Sequence, residues 1–337
     1  MITVLESLNR ALKQALFDDP QALLIGEDIL DPYGGAFKVT QGISTLFPDR
    51  VLTSPISEAG IVGIASGMAM RGLHPIVEIM FGDFIPLIAD QLINHLAKFR
   101  WMYNDQVRVP LVIRTPMGGY RGYGPTHSQT LEKIFLGIPG IKVVAVNSFS
   151  DPGKLLYDAI LSEEDPILFI EHKLLYPLSL FDESVNRDFD RTLLPGNPSY
   201  PTYRLTLLGA PDPQLTFIAY GYMAELASQT MLKLAYEEEI FCELIVPTQL
   251  APFEITPLMD FIRQTKHLMT IEEGTRTMGW GAEILSQIME RMNNSAIRAT
   301  RIAAKDHPIP ASPAMENDTL PGLRDIITAA HAILNHS

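Results

Sequence analysis

A chain of 337 residues, 47% hydrophobic and 19% charged, can bury a sizeable core but is too long for one ordinary domain, so two domains are expected. Its formal net charge of -13, with no Lys/Arg run, argues against a nucleic-acid-binding face and against anionic membranes as partners. The single cysteine, Cys242, rules out an internal disulfide, and no apolar run reaches the ~18 residues of a membrane span, which together predict a reducing, cytoplasmic setting. The opening Met1-Ile2-Thr3-Val4-Leu5-Glu6-Ser7 is polar-punctuated and reads as helix rather than as a secretory signal.

In chain order, short β-rich apolar runs alternate with helical patterns. Strands are predicted at Ala22–Gly26, Arg50–Thr53, His74–Ile79, Pro110–Arg114, Lys142–Val146 and Ile167–Glu171, with helices at 4–17, 58–70, 84–103 and 151–162. Near-continuous apolar strands separated by helices argue for a parallel sheet covered on both faces. The rhythm breaks between Tyr176 and Pro213, where Pro177, Pro195, Pro198, Pro201, Pro211 and Pro213 are spaced by polar residues. That density reads as a domain linker. A second α/β series follows, with strands at 215–220, 240–246, 267–272 and 297–303 and helices at 222–237, 255–264, 280–292 and 322–334.

Glu58 is the most informative residue. It stands at the mouth of an apolar segment, Ser57-Glu58-Ala59-Gly60-Ile61-Val62-Gly63-Ile64-Ala65-Ser66-Gly67, with no further charge until Arg71. A carboxylate buried there is costly unless paired or hydrogen-bonded. Ser57 reads as a helix N-cap, which puts Glu58 in the first turn, where the helix dipole favours an anion. A Glu placed only to suit that dipole is the plainer alternative. Gly60, Gly63 and Gly67 fall on one side of the helix without GxGxxG spacing, and each costs ~1 kcal/mol of helix propensity against Ala. They point to close approach by another helix or backbone.

In Phe81-Gly82-Asp83-Phe84-Ile85-Pro86, Asp83 is expected to cap a long helix that tolerates Pro86 in its first turn. Phe81 and Phe84 are core residues by default, or stack on a ligand ring. The loop Met117-Gly118-Gly119-Tyr120-Arg121-Gly122-Tyr123-Gly124-Pro125-Thr126-His127-Ser128-Gln129 follows a predicted strand and so emerges at the carboxyl edge of the sheet, where open α/β folds bind ligands. His127 can exchange a proton near neutral pH, although a lone loop His is commonly inert. Arg121 suits an anionic substrate or plain solvent. Cys242, in an apolar strand, reads as packed rather than catalytic. There is no Walker A sequence, no HExxH and no Cys/His cluster. Gly82-Asp83-Phe84 starts like the Gly-Asp-Gly metal-diphosphate motif of thiamine enzymes but lacks its third residue.

The ordered set of segments resembles the beta subunit of the thiamine-diphosphate-dependent first component of 2-oxo acid dehydrogenase complexes, the pyruvate or branched-chain type of the transketolase superfamily. It runs nearly end to end: Gly26-Glu27-Asp28, Tyr33-Gly34-Gly35-Ala36-Phe37, Pro55-Ile56-Ser57-Glu58-Ala59-Gly60, Asp90-Gln91-Leu92-Ile93-Asn94, His127-Ser128-Gln129, Pro139-Gly140-Ile141-Lys142, Ile271-Glu272-Glu273-Gly274, Gly279-Trp280-Gly281-Ala282-Glu283 and Pro308-Ile309-Pro310. The resemblance implies an α/β fold, with a transketolase-like pyrimidine-binding domain over 1–176, a linker over 177–213 and a transketolase C-terminal domain over 214–337. It implies an alpha subunit, usually in an α2β2 heterotetramer, that holds Mg2+ and the diphosphate, so no metal ligand is expected on this chain. A structural potassium ion, which some relatives hold through backbone carbonyls, is left open. By the same resemblance Glu58 would hydrogen-bond the aminopyrimidine ring and favour its imino form. Phe84 would pack on that ring with Met80 beside it, and Ile56, Gln91 and Gly35 would be neighbours. His127 would serve proton transfer with a 2-oxo acid or a lipoyl thiol at the site mouth.

Familiar dehydrogenase subunits often carry an aromatic pair and a second His where this chain has Ile134-Phe135-Leu136-Gly137-Ile138. That departure bears on the acceptor and speaks against a lipoyl arm; on the resemblance as a whole, the first reading remains a 2-oxo acid dehydrogenase beta subunit that passes its acyl group to lipoamide on an acyltransferase core. The second is a two-subunit thiamine-dependent synthase that joins the decarboxylated fragment to a carbonyl acceptor. Intact Glu58 and His127 argue against a third, a non-catalytic scaffold.

Overall fold

In the computed structural model, which describes residues 2–292 and 296–335, the first helix starts from a reciprocal cap. Glu6 N–H donates to Thr3 Oγ1 at 3.2 Å and Thr3 N–H to Glu6 Oε2 at 2.9 Å, which satisfies two otherwise orphaned donors. The helix, α1 (Val4–Asp18), buries Val4, Leu8, Leu12, Ala15 and Leu16 on one stripe, the helical period its sequence shows. The chain divides into two units, Met1–Gly118 with Ile134–Leu180, and Gly119–Lys133 with Phe181–Ser337.

In the first unit α1 is followed by β1 (Ala22–Gly26), α2 (Ile43–Leu46), β2 (Val51–Thr53), α3 (Glu58–Met70), β3 (His74–Glu78), α4 (Ala97–Met102), β4 (Val112–Met117), β5 (Lys142–Ala145), α5 (Pro152–Ser162) and β6 (Ile167–His172). Its six strands lie in the order β5-β6-β4-β3-β1-β2, every neighbouring pair parallel. β1, β4 and β6 are buried along their whole length, as strands covered on both faces must be.

The helix expected at 84–103 is three segments: a 3-10 helix over Gly82–Ile88, a π-helical stretch over Gln91–Leu96, then α4. Pro86 sits inside the 3-10 piece and lacks the N–H that a regular ladder needs, and the wider π winding follows it. The cap position belongs to Phe81, and Asp83 lies within the first turn. Ser57 does occupy the N-cap of α3, but its side chain makes no capping bond. Within this chain the glycine side of α3 is open. A Cβ built on Gly63 or on Gly67 would meet nothing within 4 Å, and one on Gly60 only Ser57 of the same turn. Among the described residues, no helix comes close there.

The second unit contains β7 (Phe189–Leu193), β8 (Thr202–Leu207), β9 (Leu215–Ala219), α6 (Tyr222–Glu238), β10 (Cys242–Pro247), β11 (Gln249–Ala251), α7 (Met259–Thr265), β12 (His267–Thr275), α8 (Trp280–Arg291), β13 (Arg298–Ala304), α9 (Pro313–Thr319) and α10 (Leu323–Leu334). Six strands run β13-β12-β9-β10-β8-β7. The first four are parallel, while β10-β8 and β8-β7 are antiparallel. The segment read as a linker, 177–213, thus holds two strands of this sheet. Its prolines bracket β7 and β8 rather than interrupting them, the placement that strands tolerate. No helix among the described residues is long and apolar enough to cross a membrane.

Candidate functional site

The carboxyl ends of β1 and β2 and the start of α3 bring two acids to one place. Glu58 opens α3 and is only 6% exposed. Glu27, directly after β1, is also buried and accepts the backbone N–H of Ser57, the residue before Glu58. Burial raises the Glu27 carboxyl above its ordinary range, and the neighbouring charge of Glu58 raises it further. Both effects disfavour a second anion in a poorly hydrated place. In the sequence Glu27 stands out only as the middle of Gly26-Glu27-Asp28. Its signal was a Gly-Glu-Asp directly after an apolar strand.

The rest of this unit's site comes from the turn after β3. Met80 and Phe84 are half-buried, and α3 packs against both the 3-10 and the π-helical segments. The Phe81 ring meets Phe84 edge-on at 5.8 Å and Phe37 at 5.5 Å. Gln91, first in the π-helical stretch, carries a buried Oε1 with no partner among the described atoms, as does Glu27 Oε1. Ile56, by contrast, is 85% exposed in this chain. Between β3, β4 and β6, Arg114 is buried and held by Glu78 at 2.9 Å and by Glu171 through two bonds of 2.7 and 2.9 Å, with Tyr176 OH donating to Glu171. Desolvation raises Glu78 despite this partner. Losing one member of such a network costs ~3–5 kcal/mol, so it fixes the strands from which the site residues emerge. A groove of about 1040 Å³ bordered by Trp101, Arg100, Pro139 and Asp165 includes none of the expected site residues.

His127 belongs to the other unit. Its loop, 119–133, was expected to go with the first domain because it follows β4, but its contacts group it with the second unit. Gly119 N–H donates to Glu273 Oε1 at 2.7 Å and Gly122 N–H to Glu316 Oε2 at 2.9 Å. Tyr120 OH donates to Pro321 O at 2.6 Å, and Thr130 Oγ1 to Glu273. Further along, Glu132 accepts from Tyr220 OH, and Lys133 Nζ donates to the carbonyls of Thr275 and Thr277. His127 is half-buried, with Nδ1 3.0 Å from Thr126 Oγ1. Arg121 is exposed near the Tyr123 ring. Glu132 is fully buried and Glu272 likewise. Desolvation raises both carboxyls, Glu272 to about 7; the charge of Glu132 raises Glu272 further, and that of Glu273 raises Glu132. Cys242 is packed, its thiol pushed up to about 12 by burial, which leaves no thiolate for catalysis.

Comparison with known proteins also finds two domains, with loop 119–133 inside the first match. The model of the transketolase pyrimidine binding domain matches residues 1–179, and that of the transketolase C-terminal domain matches residues 207–326. The chain is 33% identical to the mitochondrial pyruvate dehydrogenase E1 component subunit beta-1 of Arabidopsis thaliana, over 98% of this chain and 88% of that one. It is 30% identical to the acetoin:2,6-dichlorophenolindophenol oxidoreductase subunit beta of Cupriavidus necator, over 96% and 95%. A solved split-gene transketolase, an inactive beta4 tetramer, superposes with a TM-score of 0.73 over 99% of both chains at 17% identity, a likeness of fold.

Proposed function

We propose that this chain, which belongs to the beta subunits of the transketolase superfamily, is the beta half of a thiamine-diphosphate-dependent enzyme that decarboxylates a 2-oxo acid and passes the acyl fragment to lipoamide. It works with an alpha subunit, in an α2β2 assembly. The observation that carries the reading is Glu58, a carboxylate kept from water at the first turn of α3 beside a second acid, Glu27.

The residues present suit the pyrimidine end of the cofactor. The acids, the half-buried Phe84 and Met80, and the unpartnered acceptor oxygens of Gln91 and Glu27 offer ring packing and hydrogen-bond acceptors on one unit. When bound, thiamine diphosphate supplies the electron sink for loss of carbon dioxide. Glu58 would hold a proton shared with a ring nitrogen, and its shielding makes that bond stronger than it would be in water. Phe84 would pack on the pyrimidine ring, with Met80 and Ile56 as neighbours. His127 would exchange a proton with substrate or acceptor at the site mouth. Mg2+ and the diphosphate fall to the alpha subunit, since Gly82-Asp83-Phe84 lacks the third residue of the usual grip.

A second reading, a synthase with a carbonyl acceptor, draws on Ile134-Phe135-Leu136-Gly137-Ile138, where dehydrogenase relatives often have an aromatic pair and a His. The product formed from pyruvate with and without a lipoyl domain separates the two. For the central reading, the chain is co-purified with its alpha subunit and carbon dioxide release is followed with thiamine diphosphate and magnesium. Glu58→Gln keeps the side chain's size, so assembly should persist while release stops. Full release by that variant would remove Glu58 from the mechanism.

A further inference from the structure

The glycine-rich loop of the second unit has the backbone of an anion-binding nest. Tyr120, Gly122 and Gly124 all have positive φ, at 64°, 68° and 77°, and such turns gather backbone N–H groups on one concave side. What the loop holds is a carboxylate of this same chain. Glu316, 1% exposed on α9, takes the Gly122 N–H on Oε2, while its other oxygen faces Gly119, where a Cβ would stand 3.2 Å from it. The same Cβ would come within 2.4 Å of Leu320 Cδ1, so the loop lies directly on α9. Tyr120 fastens the far end of that helix through Pro321 O and packs with Ala304, Ile309 and Leu320. Glu273 takes the Gly119 N–H. Two buried acids thus grip the first turn of the loop, and His127 follows Gly122 by five residues in sequence.

We infer that Glu316 is a positioning residue for His127: its carboxylate serves as the internal anion that sets the loop in one conformation and so fixes the imidazole. This rests on the reading that His127 meets the reacting groups. A charge-assisted bond to a buried N–H is among the stronger hydrogen bonds, and misplacing a catalytic group by about 1 Å can cost ~100-fold in rate.

The test uses the enzyme reconstituted with its alpha subunit. Glu316→Ala should lower kcat about 10–100-fold with KM for the 2-oxo acid nearly unchanged, and should speed hydrogen exchange at the amides of residues 119–124 while the rest of the protein keeps its protection. Glu316→Gln, which keeps an acceptor oxygen for Gly122, should recover most of the lost rate. In a double-mutant cycle, Glu316→Ala should cost little once His127→Ala is present, because both act through one group. Additive losses, or a turnover indifferent to Glu316→Ala in an enzyme that does need His127, would overturn the role of Glu316 alone. A silent His127→Ala would instead refute the reading of His127, and this role for Glu316 with it.

Discussion

Glu27 and Glu58 show how one side chain can hold another ready. The two acids are buried at the same strand ends, and the Ser57 N–H that Glu27 accepts lies one residue before Glu58. Glu27 therefore ties down the turn that leads into α3, at a cap where the Ser57 side chain makes no bond. The consequence can be measured. Glu27→Gln keeps an acceptor for Ser57 and removes a neighbouring acid, so decarboxylation in the reconstituted enzyme should stay within about threefold. Glu27→Ala leaves the N–H without that partner, a cost of ~1–3 kcal/mol, and lets the helix start shift. Its kcat should fall by about 10-fold or more. Equal rates for the two variants would mean that the Ser57 bond has no part in placing Glu58.

At the scale of the element, the carboxyl end of β12 concentrates unpaid burial. Thr270 and Glu272 share one side of the strand, and Gly281 N–H at the start of α8 donates to Glu272 Oε1 at 3.0 Å. Thr270 Oγ1, Glu272 Oε2 and Glu132 Oε2 have no partner among the described atoms. The groups that bear on Glu272 are Glu132, which raises it, and Arg301 with the α8 backbone, which lower it; desolvation outweighs both and leaves it at about 7. An acid whose folded pKa lies above its unfolded value of 4.5 binds more protons in the folded state. Its contribution is complete below about pH 4.5 and is lost as pH rises through 7, on the order of 3 kcal/mol in all. Glu272→Gln replaces the titrating carboxyl with an amide that stays neutral at every pH. The variant should match the parent near pH 4.5 and be more stable by about 1–3 kcal/mol at pH 8 in denaturant titrations; a gap independent of pH would remove Glu272 as its source. Regular elements such as β1, α3 and β12 were readable in the sequence because apolar period and caps are local. The broken helix over 82–102 was not, since a hydrophobic period does not tell 3-10 or π winding from α. Nor was the allegiance of the His127 loop, whose partners Glu273 and Glu316 lie more than 140 residues further along the chain. Glu58 could be found because it is a lone charge in an apolar run, whereas Glu132 and Glu316 stand among other polar residues and look like surface.

At the scale of the whole molecule, the exposed side of α3 makes opposite demands on folding and on the proposed assembly. The helix buries Ile61, Val62, Ala65 and Ala69 but leaves Gly60, Gly63, Ile64, Gly67 and Met70 exposed, a face too apolar and too rich in glycine to serve stability in this chain. Each helical glycine costs ~1 kcal/mol against Ala, and at Gly63 and Gly67 a methyl group would meet nothing within 4 Å. Such residues make sense where a second helix has to approach closely, and under the proposed function the alpha subunit is the partner that would supply it. Gly63→Ala should therefore stabilise the isolated chain by ~0.5–1 kcal/mol in a denaturant titration and yet weaken its complex with the alpha subunit in sedimentation. The two effects have opposite signs because the methyl group fills empty space in one case and separates two backbones in the other. A variant that gains stability and assembles as well as the parent would show that the glycine face is not where the alpha subunit sits.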